Sequence, residues 1–567
     1  MNKPIRNEGR TLLAVRPPET VSMRAKDGTR LDADVYRPEG GSDHPVLLMR
    51  LPYGRKIAGT VAYAHPSWYA ANGYIVAVQD VRGRGTSKGT FRVFADDVAD
   101  GGDAIGWAAK LPGSTGKVGM YGFSYAGHTQ LLALAAGRPE LAAIAPGMAT
   151  WDVYENWAYE GGAFALANNV FWGLHMAVEQ ARLAGDVEAY DALNAAAGAL
   201  PLGAPIQCKP EVLETYAKYG HYMDWVGNPK PGAYWNAIGV GTALAGKTLD
   251  VPMLHVGGWY DYMLTGTLRI YREAVARSSR PQKLLIGPWT HMPWARRVGG
   301  TDFGDDSTGE VDALHIAWFD RFLKGVENGI DTEPPVRLFD LLGKKWRDFD
   351  CWPEPTPRSF YTTGGPATTS EAGSLVEKTP SRISVDTIAC DPRRPVPTMG
   401  GHTTDTAGMQ ERSSVDARAE VMTFTTAQLV EAMVLAGEVE LILSVAADQP
   451  SFDISAVLSW VVEGRAYNLT QGHKRIDDHK GGEVRIPMRA TFASLEPGDR
   501  LRLSIAGTSY PAFAVNPGTG APPAEARQID RRVITIAVTS GGDAPTRLEL
   551  PVSGTKWSGA IGFSLKG

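Results

Sequence analysis

Three segments of the 567-residue sequence carry side chains whose types and order suit acyl transfer. In Lys117–Thr129 (KVGMYGFSYAGHT) a short apolar run leads into Gly122-Phe123-Ser124-Tyr125-Ala126-Gly127 and then into an Ala- and Leu-rich stretch. A serine on a sharp strand-to-helix turn, with small residues where chain segments nearly touch, is what a nucleophile elbow requires. The free N–H groups at the start of the following helix then face the reacting carbonyl. Ala126 stands where the common elbow has glycine, so a Gly-rich packing turn is the competing reading. Downstream, Val251–Val256 runs through Gly257-Gly258-Trp259-Tyr260 to Asp261, and Lys283–Ile286 runs through Gly287-Pro288-Trp289-Thr290 to His291. The order Ser…Asp…His at the carboxyl ends of successive strands is that of a serine triad. His291 takes the proton of Ser124 as general base, and Asp261 orients the imidazole and stabilises its charged form.

Tyr53 follows the run Pro45–Met49, on the loop that commonly supplies half of an oxyanion hole. No HGGG run offers backbone donors there. The Tyr53 hydroxyl, paired with the Tyr125 backbone N–H, is a sensible substitute, and a stacked structural tyrosine fits the residues equally well. Other histidines compete poorly. His128 reads as packing beneath the elbow, His255 as a core histidine, His315 as part of a helix, and His473 and His479 as members of a solvated loop. There is no HExxH or paired CxxC, so neither a metal nor another cofactor is expected. In Arg82-Gly83-Arg84-Gly85-Thr86-Ser87-Lys88-Gly89 the glycines are spaced one residue too widely for a dinucleotide fingerprint, which leaves a structural Arg/Asp loop beside the site.

These residues need a sheet to hold them. Short apolar runs alternate with helical patterns up to about Thr150, after a hairpin with an Asp27-Gly28 turn signal. Such alternation predicts a parallel sheet covered on both faces. It is interrupted by an aromatic- and Ala-rich helical stretch and resumes near Val251. After the Pro-rich segment Trp352–Arg358, short β-branched runs separated by Gly, Pro and Asp turns predict an antiparallel sandwich. The expected division is an interrupted α/β domain over 1–150 and 246–352, a helical insertion over 151–245, and a C-terminal antiparallel β-sandwich or jelly roll over 353–567.

Composition narrows the function classes. Net charge is −5 with no long run of like charge, which disfavours nucleic acid and anionic membrane surfaces as partners. Three well-separated cysteines argue against a disulfide framework. MNKPIRNEGR has no apolar core ahead of its charges, and no stretch approaches a membrane span. A soluble, cytoplasmic enzyme is expected; a homo-oligomer is neither required nor ruled out.

Together the motifs DGTRL at 27–31, PYGR at 52–55, QDVRGRGTSKG at 79–89, GFSYAG at 122–127, GGWYD at 257–261 and GPWTH at 287–291 resemble the CocE/NonD family of serine hydrolases. WFDRFLKGVENG at 318–329 and the β-rich tail extend the likeness over essentially the whole chain. The resemblance implies an α/β-hydrolase domain with a helical cap and a C-terminal jelly roll. It implies Ser124, Asp261 and His291 as the triad, Tyr53 and Tyr125 as the oxyanion hole, and Trp157, Trp172 and Met263 as substrate-binding residues. One departure bears on substrate. The family's amino-acid ester hydrolases carry acidic residues just after the catalytic aspartate, whereas Tyr262, Met263 and Leu264 stand here. Glu155 and Glu160 are the remaining anchors for a substrate ammonium, and helical surface charges are the plainer reading of both. The expectation is an esterase forming an acyl-enzyme with a small ester. An amidase, acylase or X-Pro-type aminopeptidase is the alternative within the class, and a non-catalytic binding protein using the jelly roll is the alternative outside it.

Overall fold

The structure is a computed structural model that describes residues 11–40, 43–57, 62–203, 208–292, 294–364, 373–402 and 406–553. The Asp27-Gly28 turn, with Gly28 at φ 85°, closes an antiparallel hairpin of β1 (Glu19–Arg24) and β2 (Arg30–Tyr36). Near-continuous apolar runs follow as β3 (His44–Leu51), β4 (Ile75–Asp80), β5 (Ser114–Phe123) and β6 (Leu141–Gly147). They alternate with α1 (Pro66–Ala71), α2 (Asp97–Ala108) and α3 (Tyr125–Leu134). Strands buried on both faces read this way because helices cover each side.

Between β6 and the next sheet strand lies a largely helical stretch. It opens on a helical turn, Tyr154–Ala158, and a small hairpin, β7 (Tyr159–Glu160) and β8 (Ala163–Phe164), followed by α4 (Leu166–Ala184), α5 (Val187–Gly198) and shorter helices. Its buried Trp157, Trp172, Tyr222 and Trp225 merge into the same apolar cluster as Leu131 of α3. The sheet then resumes with β9 (Met253–Tyr260) and β10 (Gln282–Thr290). After the small hairpin β11 (Arg297–Val298) and β12 (Thr301–Asp302) it ends with β13 (Val336–Asp340) and β14 (Lys345–Phe349). Among the described residues the strand order is β1-β2-β4-β3-β5-β6-β9-β10-β13-β14. From β4 to β13 neighbouring strands run parallel, so their carboxyl ends share one edge.

Two strands run further than the sequence reading placed them. β9 and β10 extend past the apolar runs Val251–Val256 and Lys283–Ile286 to include Gly257–Tyr260 and Gly287–Thr290, so Asp261 and His291 each follow the last strand residue directly. Glycine makes the extension feasible: a Cβ on Gly258 would lie 2.3 Å from the Trp289 carbonyl oxygen.

Beyond β14 the described chain is β-rich, dominated by the long strands Met433–Ala447, Ser451–Val462, Arg465–Asp477 and Glu483–Leu495. One expectation fails here. His473 is buried inside the strand Arg465–Asp477, not in a solvated loop. Its ring stacks on Phe513 at 4.0 Å and its Nε2 lies 3.3 Å from Asp453 Oδ2. The charge-rich Lys474–Asp478 string misled because Arg475 is spent on the buried Asp453, through two 2.8 Å bonds, rather than on water. This domain also grips the helical stretch through its main chain. The Arg475 N–H donates to Gly161 O and the Ala514 N–H to Phe164 O, both at 2.9 Å.

Candidate active site

Ser124 sits between β5 and α3 with φ 59° and ψ −126°, a conformation L-residues rarely adopt. The turn closes because its neighbours are small. A Cβ on Gly122 (φ 139°) would lie 2.6 Å from the Ala126 Cβ, and one on Gly127 would lie 2.5 Å from Gly147 O. The methyl of Ala126 therefore fits because Gly122 has none, which accounts for the departure from G-x-S-x-G. Gln130 ties the turn together, donating to Gly122 O at 3.0 Å and Ala126 O at 2.9 Å and accepting from the Ala145 N–H.

The three residues expected as a triad meet. His291 Nε2 lies 2.9 Å from Ser124 Oγ, and His291 Nδ1 lies 2.8 Å from Asp261 Oδ1. Asp261 is fully buried; its Oδ1 also accepts from the Met263 N–H at 3.1 Å. The imidazole keeps some solvent contact and packs against Tyr262, ring centroids 4.3 Å apart, and Phe123 at 5.8 Å.

Tyr53 stands over the same serine. Its residue surface is 38% exposed, yet its hydroxyl is enclosed beside Ser124 and Trp172, and burial raises its pKa above the ordinary phenol value. Trp172 Nε1 donates to this hydroxyl at 3.2 Å. The loop is pinned on both flanks. Buried Arg84 donates from Nε to Pro52 O at 2.7 Å, and Asp80 Oδ1 accepts from the Arg55 N–H at 2.6 Å. Arg84 also reaches Met176 O and Gln180 Oε1 of α4, so the Arg-Gly loop joins the Tyr53 loop to the helical stretch. Tyr125 begins α3, and its N–H has no partner within the helix. Its side chain points the other way. The phenol donates to Asp97 Oδ2 at 2.9 Å and stacks on Phe94, while Asp97 pairs with buried Arg50.

Trp157, Trp172 and Met263 are 2%, 7% and 0% exposed. The two indoles touch, centroids 4.5 Å apart, and of the two Trp172 bonds to a site residue, Tyr53. Met263 lies wholly within the core cluster. Tyr262, not singled out as a site residue in the sequence, lies closer to the chemistry. Its hydroxyl interacts with Ser124, and burial, then the Asp261 charge, pushes its pKa well above that of a free phenol. Its position directly after Asp261 was its only sequence signal. Glu160 faces inward and is already paired, accepting from Arg489 Nη2 at 2.7 Å and facing His402 Nε2 at 2.8 Å. Burial works against its charge, and Arg489 and His402 outweigh that, holding the carboxyl far below the usual range. Glu155 is largely exposed, its pKa raised by burial of its carboxyl and by Asp152. Among the described residues no three His, Cys, Asp or Glu side chains gather as a metal site, and no helix is long and apolar enough to cross a membrane.

Residues 27–293 match the X-Pro dipeptidyl-peptidase (S15) family, and residues 328–549 match the X-Pro dipeptidyl-peptidase C-terminal non-catalytic domain. The cocaine esterase of Rhodococcus sp. (strain MB1 Bresler) is 30% identical, over 94% of this chain and 98% of its own. Two solved structures share the fold at lower identity. An aminopeptidase from a marine sediment Thaumarchaeota archaeon superposes with a TM-score of 0.80 at 21% identity, covering 98% of this chain and 99% of its own. An α-amino acid ester hydrolase superposes with a TM-score of 0.77 at 20% identity, covering 97% and 100%. With the esterase likeness carried across nearly the whole of both chains, this protein belongs to the CocE/NonD family of serine hydrolases.

Proposed function

We propose that the protein is a serine esterase that cleaves small carboxylic esters through an acyl-enzyme on Ser124. The observation that carries this reading is the unbroken chain Ser124 Oγ–His291–Asp261, at 2.9 and 2.8 Å, at the mouth of the elbow. Ser124 attacks the ester carbonyl while His291 takes its proton, and Asp261 holds the imidazole in the correct tautomer. The oxyanion rests on the Tyr53 hydroxyl and the Tyr125 N–H. His291 then protonates the leaving alkoxide, and water resolves the acyl-enzyme by the reverse sequence. We assign the acyl group's surroundings to Trp157, Trp172 and Met263, whose apolar side chains favour apolar or aromatic acids.

The amidase reading asks for more than this site offers. Release of an N-terminal dipeptide needs a free carboxylate for the substrate ammonium, and Glu160 is already paired with Arg489 and in contact with His402. Tyr262 occupies the place where the family's amino-acid ester hydrolases carry acid. Around this site we assign 1–150 and 246–352 to the hydrolase domain, 151–245 to the cap and 353–567 to a jelly roll, with 1–10 and 554–567 at the ends of this division lying outside the described residues. We place the enzyme in the cytoplasm, where its free Cys208, Cys351 and Cys390 stay reduced.

Comparing kcat/KM on p-nitrophenyl esters and matched p-nitroanilides tests the substrate class: esters are expected to exceed anilides by orders of magnitude, and parity would overturn the esterase reading. A serine-directed phosphonate should label the wild type and spare Ser124→Ala. Equal labelling of the two would remove Ser124 from the mechanism.

A further inference from the structure

The C-terminal domain belongs to a family described as non-catalytic, yet one of its arginines reaches the triad. Arg489, on the strand Glu483–Leu495, donates from Nη1 to the main-chain oxygen of Asp261 at 3.1 Å. Its other terminal nitrogen donates to Glu160 Oε2 of the β7–β8 hairpin at 2.7 Å. His402, also from the C-terminal domain, lies 2.8 Å from that same oxygen. Arg489 and His402 are 9% and 4% exposed, so the contacts are made away from bulk water. A guanidinium is a planar fork whose donors keep a fixed relative direction. Gripping Glu160 with one prong therefore fixes where the other prong stands, and with it the Asp261 main chain.

The carboxylate of Asp261 has little else to hold it. Oδ1 accepts from His291 and the Met263 N–H, while Oδ2 is buried with no hydrogen-bond partner among the described residues. Its orientation toward His291 thus depends on the backbone beneath it, at the end of β9. There the Asp261 N–H donates to Gly258 O and the Asp261 carbonyl oxygen accepts from the Leu264 N–H, both at 3.1 Å, and Arg489 ties this turn to the C-terminal domain. We propose that Arg489, clamped by Glu160 and His402, is a positioning residue for the triad: it sets the Asp261 backbone so that the carboxylate meets His291 Nδ1. The fork takes no part in proton transfer and touches no substrate. It makes the rate of acylation depend on the docking of three chain segments, those around residues 160, 261 and 489.

This inference rests on Asp261 acting as the triad acid, and the experiment separates the two. Removing Arg489 alone strands the Glu160 charge in a buried place, so the informative variant is the pair Glu160→Gln/Arg489→Met, which removes both charges together. It is expected to keep a melting temperature near wild type while kcat for a p-nitrophenyl ester falls about 10- to 100-fold with little change in KM, the scale of a misplaced catalytic group. Glu160→Gln alone keeps an amide oxygen for Arg489 and is expected to stay within a few fold of wild type. If the double variant does not fold, Arg489→Lys replaces it, since a single ammonium retains charge opposite Glu160 without spanning both acceptors; the same fall in kcat is expected. The decisive reading is a double-mutant cycle with Asp261→Asn. Asp261→Asn alone is expected to lower kcat about 10⁴-fold, and the Arg489 change on that background is expected to cost less than a further twofold. An unchanged kcat in a folded Arg489 variant, a loss confined to KM, or full additivity with Asp261→Asn would overturn the positioning role. An Asp261→Asn enzyme with wild-type kcat would instead overturn the triad assignment itself.

Discussion

The hydroxyl of Tyr53 already accepts a hydrogen bond from Trp172 Nε1, so the hydrogen it owns is free to be donated toward Ser124. Tyr53→Phe is therefore expected to lower kcat by about 10²–10³, the usual loss for one oxyanion donor, with fold and KM largely kept. An unchanged kcat would make Tyr53 a structural residue. Trp172→Phe keeps an aromatic ring in place but removes the bond that orients Tyr53, and a loss of about fivefold is expected, in keeping with a net hydrogen bond of about 1 kcal/mol. At this scale the sequence was informative where chemistry dictates residue type and chain order, as for Ser124, Asp261 and His291. It was silent where a role depends on neighbours alone. Tyr262 belongs to no motif, and Glu160 read as a surface charge because Arg489 lies 329 residues away in the chain.

Elements bring these atoms together through close backbone approaches that glycine permits. β9 and β10 pass so near that a Cβ on Gly258 would lie 2.3 Å from Trp289 O. Gly258→Ala must push the two strands apart just before Asp261 and His291. The expected outcome is destabilisation of about 1–3 kcal/mol, as for overpacking, together with a kcat loss larger than the change in melting temperature explains. Wild-type kcat in that variant would show that the strand spacing does not set the Asp261–His291 contact. The alternation of apolar runs and helical patterns was enough to foresee a parallel sheet, because burial on both faces leaves a continuous apolar signature. It was not enough to foresee that β9 and β10 run on through their glycines. Gly257-Gly258 and Gly287-Pro288 look like chain breaks by composition, while the pairing that extends them is between segments distant in sequence.

Across the whole molecule, burial keeps several histidines neutral. It lowers the pKa of His128 and His255 to about 4, and that of His315 to about 3; His221 also falls to about 3 through burial and then the Arg84 charge. An unfolded histidine titrates near 6.5. Between about pH 6.5 and 4 the unfolded chain thus binds more protons than the native one, so stability rises with pH and is lost on acidification. Each such group contributes on the order of 1 kcal/mol per pH unit in that window. The melting temperature is expected to fall clearly between pH 7 and pH 5; a flat profile to pH 5, with loss only in the carboxylate range, would contradict it. The hydrogen bonds from Arg475 and Ala514 to Gly161 and Phe164 carry a different consequence. The helical stretch is stitched to the C-terminal domain by peptide groups, which every sequence possesses, at a spot where a Cβ on Gly161 would lie 2.3 Å from His473 O. Chimeras that import this stretch from a relative will therefore succeed only when the donor also has glycine at that corner, or when its own 450–515 strands travel with it.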